Sequence, residues 1–149
     1  MFKSKMIGLV LFAFLIGCNA EKKAPINNDS ESKIENWARP GAKGQMSGAY
    51  FVYTNNLPVP DTLISVQSIN AKMTQIHESY TTDDGLSGMR EKKQLIIQPS
   101  EKLTLKQGGL HLMLMDLNQK LSSSDTVDVS LNFSQAGNIF LKLPVLNSN

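Results

Sequence analysis

Thiols are the scarcest chemical resource in this chain, which has a single cysteine, Cys18, in 149 residues. A disulfide framework, a CxxC redox pair, a thiolate zinc site and a blue-copper electron carrier all need thiol groups within the folded domain, so each is excluded. Histidine is nearly as rare, with only His77 and His111. Charge of one sign is also missing: without Lys3 and Lys5, which lie in a leader segment, 13 basic residues face 13 acidic ones. A neutral chain with no basic cluster has no means of neutralising a phosphate backbone, so nucleic acid is not an expected partner. After Ile16 no long apolar run occurs. A 41% hydrophobic content still supplies one real core, and the length suits one domain rather than two.

What is present begins with "MFKSKMIGLVLFAFLIG", residues 1–17. Two lysines followed by an apolar run from Met6 to Ile16, too short to span a bilayer comfortably, read as an export signal. The run ends in "LIGC", which resembles the lipobox of bacterial lipoproteins and implies that Cys18 is acylated and becomes the first mature residue. One acyl chain anchors only marginally, at about 0.8 kcal/mol per buried methylene, so the several chains of a bacterial lipoprotein hold firmly. The expected location is therefore periplasmic or otherwise extracytoplasmic, lipid-anchored to a bacterial membrane; Asn19, being non-acidic, favours the outer one by analogy. Residues 18–33, the cysteine and "NAEKKAPINNDSESK", are charged and nearly free of large apolar groups, as in a disordered tether at most roughly 50 Å long.

The folded domain is expected over 34–146, with 147–149 as a short tail. Strands are read at 48–55, 62–69, 73–80, 93–98, 102–106, 110–117, 125–134 and 138–145, separated by Pro58 and Pro60, Asp84-Gly85, Pro99, Gly108-Gly109 and Ala136-Gly137. In "DTVDVSLNFS" Val127, Val129, Leu131 and Phe133 share one face, the two-residue period of a half-buried strand. Ile139, Leu141, Leu143 and Val145 repeat it. With no helical stripe beyond the leader, the fold class is all-β, an antiparallel sandwich or Greek-key barrel.

The same alternation in "GGLHLMLMDL", residues 108–117, turns Leu110, Leu112 and Leu114 one way and His111, Met113 and Met115 the other. The mature chain has five methionines: Met46, Met73, Met89, Met113 and Met115. His77 falls in a strand, Met89 closes the following loop, and His111 and Met113 share a face about 7 Å apart. Imidazole and thioether together form a soft, uncharged donor set that suits Cu(I), whereas Mg, Ca and Mn want oxygen. Outside the cytoplasm a thioether also has an advantage over a thiolate, because it needs no deprotonation and forms no disulfide. Protons would compete only at imidazole, so metal affinity is expected to weaken below about pH 6.5. On these residues alone the plain alternative stands beside the metal: a strand histidine with an ordinary hydrogen bond, and methionines as core filler. Met46 and Met73 are assigned to the core.

The spacing from His77 through ten residues after Glu78 to Met89, then twenty-one residues to His111-x-Met113, resembles the ligand pattern of the PCu(A)C periplasmic copper chaperones. "NWARPGAKGQMSGAYFVYTNN" and "LKQGGLHLMLMDL" resemble the same family outside the ligands, so the likeness covers about 34–146. It implies a cupredoxin-like antiparallel β-sandwich, Cu(I) held by His77, Met89, His111 and Met113, and delivery to the Cu(A) centre of the copper-bearing cytochrome oxidase subunit, with a Sco-type protein as a further partner. Met115 shares the ligand face and is a candidate outer thioether, with packing as its plainer role. Glu78 departs from the pattern where some members carry methionine, and no His/Met-rich C-terminal tail is seen, so one site in a monomer is expected. Trp37, Arg39 and Pro40 are read as fixing the chain's entry to the domain. No enzyme is expected, because both histidines are committed and the Ser-x-x-Lys match in "SESK" lies in the tether. The rival readings are a lipid-anchored β-sandwich interaction module without metal, and a copper scavenger, store or sensor.

Overall fold

The computed structural model describes residues 36–147. The export signal, Cys18 and the tether lie outside the described residues. Ten strands follow in order: β1 (Trp37–Ala38), β2 (Ser47–Thr54), β3 (Asp61–Ser68), β4 (Ala71–Thr81), β5 (Ser87–Glu91), β6 (Leu95–Ile97), β7 (Lys102–Leu105), β8 (Leu110–Leu117), β9 (Thr126–Phe133) and β10 (Gly137–Pro144). They form two antiparallel sheets. One runs β1-β2-β8-β4-β5, with β7 also paired to β2; the other runs β10-β9-β3-β6.

The alternation read from the sequence is what joins the sheets. Val127, Val129, Leu131 and Phe133 are all buried on the inner face of β9, and Leu112 and Leu114 of β8 face them from the other sheet with no exposed surface. The Tyr53 ring stacks on Phe133 across the interior, centroids 4.4 Å apart. Truncating Leu131 to alanine should cost about 2–5 kcal/mol, read as a lower denaturant midpoint, because a fully buried leucine leaves a cavity that a sandwich cannot collapse.

Two buried polar residues fix the loops. Asn55 donates from Nδ2 to the Val59 and Ile97 carbonyls and accepts from the Leu57 amide, holding the proline-rich connection to β3. Asp61, wholly buried at the start of β3, accepts from Ser134 Oγ at 2.8 Å and from the amides of Thr62, Gln135 and Ala136 at 2.7, 2.8 and 3.0 Å. Burial pushes its carboxyl up, but these four donors outweigh that and hold it below its ordinary value.

Several expectations need correction. Met89 does not close a loop; it lies in β5, which forms a hairpin with β4 through a turn at Gly85, φ 84°. Met46 and Met73 are not core residues, being 64% and 54% exposed. Strand parity explains Met73, since on β4 it shares the outer face with His77 while Ile76 points inward. In β8 the alternation holds through Met115 and then breaks at Asp116, whose φ of 55° puts Leu117, three residues after Leu114, back into the core.

Candidate metal centre

Pairing register brings the sequence-predicted donors to the outer face of the larger sheet. His77 and His111 are directly opposed on β4 and β8, with ring centroids 6.1 Å apart. Met113 is opposed by Gln75 on β4 and by Gly48 on β2. Met89 is opposed by Ser79, two residues beyond His77. The four side chains thus belong to three neighbouring strands, β8, β4 and β5.

An open cleft of about 620 Å³ lies over this face. Met89, His111 and Met113 line it, together with Tyr50, Arg39 and Met46. His77 is not among the lining groups; it flanks the cleft beside His111. Met115, two residues beyond Met113, shares the face but also lies outside the lining. Gly48 has a specific reason to be glycine, because a Cβ there would meet Tyr50 Oη at 3.0 Å, on the cleft side of Met113.

Each imidazole has one nitrogen committed. His111, only 7% exposed, places Nδ1 2.9 Å from the Gly109 carbonyl. A carbonyl can only accept, so the proton sits on Nδ1 and the Nε2 lone pair is free. His77 Nε2 lies 3.0 Å from Gln75 Oε1; with the amide oxygen accepting, Nδ1 is the free donor. Such outer hydrogen bonds orient ring ligands and raise their basicity. Gln75 was not singled out in the sequence, although its two-residue offset from His77 already places it on the same face.

Two carboxylates neighbour His77: Glu91, exposed and directly opposite it on β5, and Glu78, which is kept out of the donor set. Glu78, next to His77 in sequence, points to the opposite face and pairs with Arg90 at 2.6 Å and Lys92 at 3.2 Å, which hold its carboxyl below the usual range. Among the described residues no three His, Cys, Asp or Glu side chains gather into a metal-holding group. With Glu91 as the one carboxylate at its margin, the face offers mainly nitrogen and thioether donors, a chemistry fitted to a soft monovalent ion and poorly fitted to Ca or Mg.

Arg39 and Pro40, read from the sequence as fixing the entry of the chain, line the cleft as well. Trp37 packs against Tyr50 with ring centroids 4.7 Å apart, so the wall of the cleft rests on β1.

Known proteins share both the sequence and this architecture. A curated relative from Leifsonia xyli subsp. xyli, named "Putative lipoprotein Lxx21020", is 27% identical over 109 residues, 73% of this chain and 65% of that protein. The chain thus spans under two thirds of that relative's length. Among solved structures, the copper-bound PCuAC domain from PmoF2 superposes with a TM-score of 0.61 at 21% identity, covering 76% of this chain and 90% of the other. The solution structure of CuI-DR1885 from Deinococcus radiodurans gives 0.58 at 25% identity, covering 76% and 77%. The sandwich is therefore the cupredoxin-like β-sandwich of PCuAC domains. The family described as "Putative lipoprotein LpqE-like" matches residues 33–145. By that match, across three quarters of its length, the chain belongs to the LpqE-like family.

Proposed function

We propose that this protein is an extracytoplasmic, lipid-anchored carrier of Cu(I) that hands copper to the Cu(A) centre of cytochrome oxidase. The observation that supports it most directly is the donor set: two imidazoles with one free nitrogen each and two thioethers, on three adjacent strands of one sheet face, with Glu78 tied up on the opposite face. His77, Met89, His111 and Met113 hold the ion. The likeness to a copper-bound PCuAC domain and to CuI-DR1885 supports the choice of metal. Residues 1–17 act as the export signal, Cys18 carries the lipid and 18–33 form the tether, in keeping with the relatives' description as lipoproteins.

Copper is cargo here, and no bond of a substrate is made or broken. Three of the donors line an open cleft, so an acceptor can replace them one at a time without the ion passing through a protein core. The buried imidazole of His111, fixed by Gly109, supplies the oriented donor, and the exposed thioether of Met89 supplies the exchangeable one.

The deciding experiment loads the full chain with one equivalent of Cu(I) under reducing conditions and mixes it with an apo copper domain of cytochrome oxidase. Copper should move to the acceptor. Retention of the metal would instead mark a store or scavenger, and failure to bind Cu(I) more tightly than micromolar would leave a metal-free interaction module.

A further inference from the structure

All five methionines among the described residues, Met46, Met73, Met89, Met113 and Met115, lie on the outer side of one sheet. Two of them, Met89 and Met113, are donors of the proposed carrier site, and three remain, of which Met46 also lines its cleft. Met73 on β4 and Met115 on β8 are directly opposed in the ladder. Met46 immediately precedes Ser47, whose partner Leu114 is the neighbour of Met115, so Met46 flanks β8 on the other side. The order across the sheet is thus Met46, Met115, Met73, over three strands spaced about 4.8 Å apart. Directly opposed residues have Cβ atoms about 4.5–5.5 Å apart, within the span that two flexible thioethers can close around one ion.

Their exposure is the second observation. Methionine in a sandwich ordinarily fills gaps in the core, yet Met46 and Met73 are 64% and 54% exposed, and Met115 is half-buried between them. The one carboxylate beside them, Asp116, is taken by Lys72 at 2.7 Å. What remains is a patch of sulfur donors with no proton to lose and no charge to draw a hard cation, which selects soft monovalent ions such as Cu(I) or Ag(I).

We infer that Met46, Met73 and Met115 form a second, all-thioether site for a soft monovalent metal ion. It lies about 13 Å along β8 from His111, with Met113 midway. Met46, which also lines the cleft, and Met113 link the two sites, so an ion taken up on the thioether row can pass to the imidazole pair through sulfur donors alone. The identity of the ion rests on the copper reading above; the existence of the site does not.

The test is titration of the full chain, in detergent micelles and with methionine methyl groups labelled with carbon-13, with Ag(I), which does not oxidise thioethers. Each methyl signal is assigned by single Met→Leu variants. The Met89 and Met113 signals should move during the first equivalent and those of Met73, Met115 and Met46 during a second. The Met73→Leu/Met115→Leu protein should bind one equivalent instead of two. Met73 and Met115 signals unmoved through two equivalents overturn the second site. Movement of Met73 and Met115 with Met89 and Met113 unmoved would sustain it while removing the carrier site.

Discussion

Replacing His111 with alanine is expected to weaken Cu(I) binding at the cleft by at least about 100-fold, since loss of even an outer hydrogen-bond partner of a metal ligand typically costs 10- to 100-fold. The expectation rests on three features of that ring. It is 93% removed from solvent, its tautomer is set by the Gly109 carbonyl, and it stands opposite His77 at 6.1 Å between centroids. Competition against a chromogenic Cu(I) chelator under reducing conditions reads the change directly. Gln75→Ala should have a smaller effect of the same sign, because it frees the His77 ring without removing a donor. Equal affinity in wild type and His111→Ala would remove the imidazole pair from the site.

Asp61→Ala should be strongly destabilising, at about 3 kcal/mol. It leaves the Gln135 and Ala136 amides and the Ser134 hydroxyl without the acceptor that pins the β9–β10 turn to β3, and leaves the Thr62 amide only the Ser134 hydroxyl oxygen at 3.2 Å. For a domain of this size that corresponds to a fall of roughly 10–20 °C in Tm. The effect depends on pH in a definite direction. The folded state holds this carboxyl below its unfolded value of about 3.9, so the stabilisation is present above about pH 4 and is lost as acid drives the pH down through the folded-state value. Thermal unfolding from pH 7 to pH 2.5 should show wild type losing its advantage over Asp61→Ala below pH 4. A difference unchanged across that range would mean that the ionised form contributes nothing.

Legibility in the sequence followed the strength of the alternating pattern. β9 and β10 were plain because each inward position carries a large apolar group and, Phe140 apart, the outward ones do not. The parity of β8 was equally clear and placed His111, Met113 and Met115 on one side. β5 was missed because "SGMRE" buries almost nothing, being an edge strand held by its ladder to β4 and by the Glu78 pairs with Arg90 and Lys92. Met46 and Met73 were misread from what methionine usually does, although Met73 stands an even number of residues from His77 and so shares its face. The role of Asp61 had no local signal, since its partners lie 73 to 75 residues away in the β9–β10 turn. The candidate donors were legible through spacing, whereas Gln75 and Gly109, which orient the rings, emerge only from the fold.

The placement of β5 at the margin of its sheet, joined to β4 alone, sets Met89 apart from the other three candidate donors. Met89 rides on a peripheral arm, whereas His77, His111 and Met113 sit on strands flanked on both sides. Bending one hairpin disturbs only its own ladder, while moving the other three donors would strain the interior. On the carrier function proposed above, the residence time of the ion is set by how readily that arm swings outward, and an acceptor gains its first foothold from the side of residues 82–91.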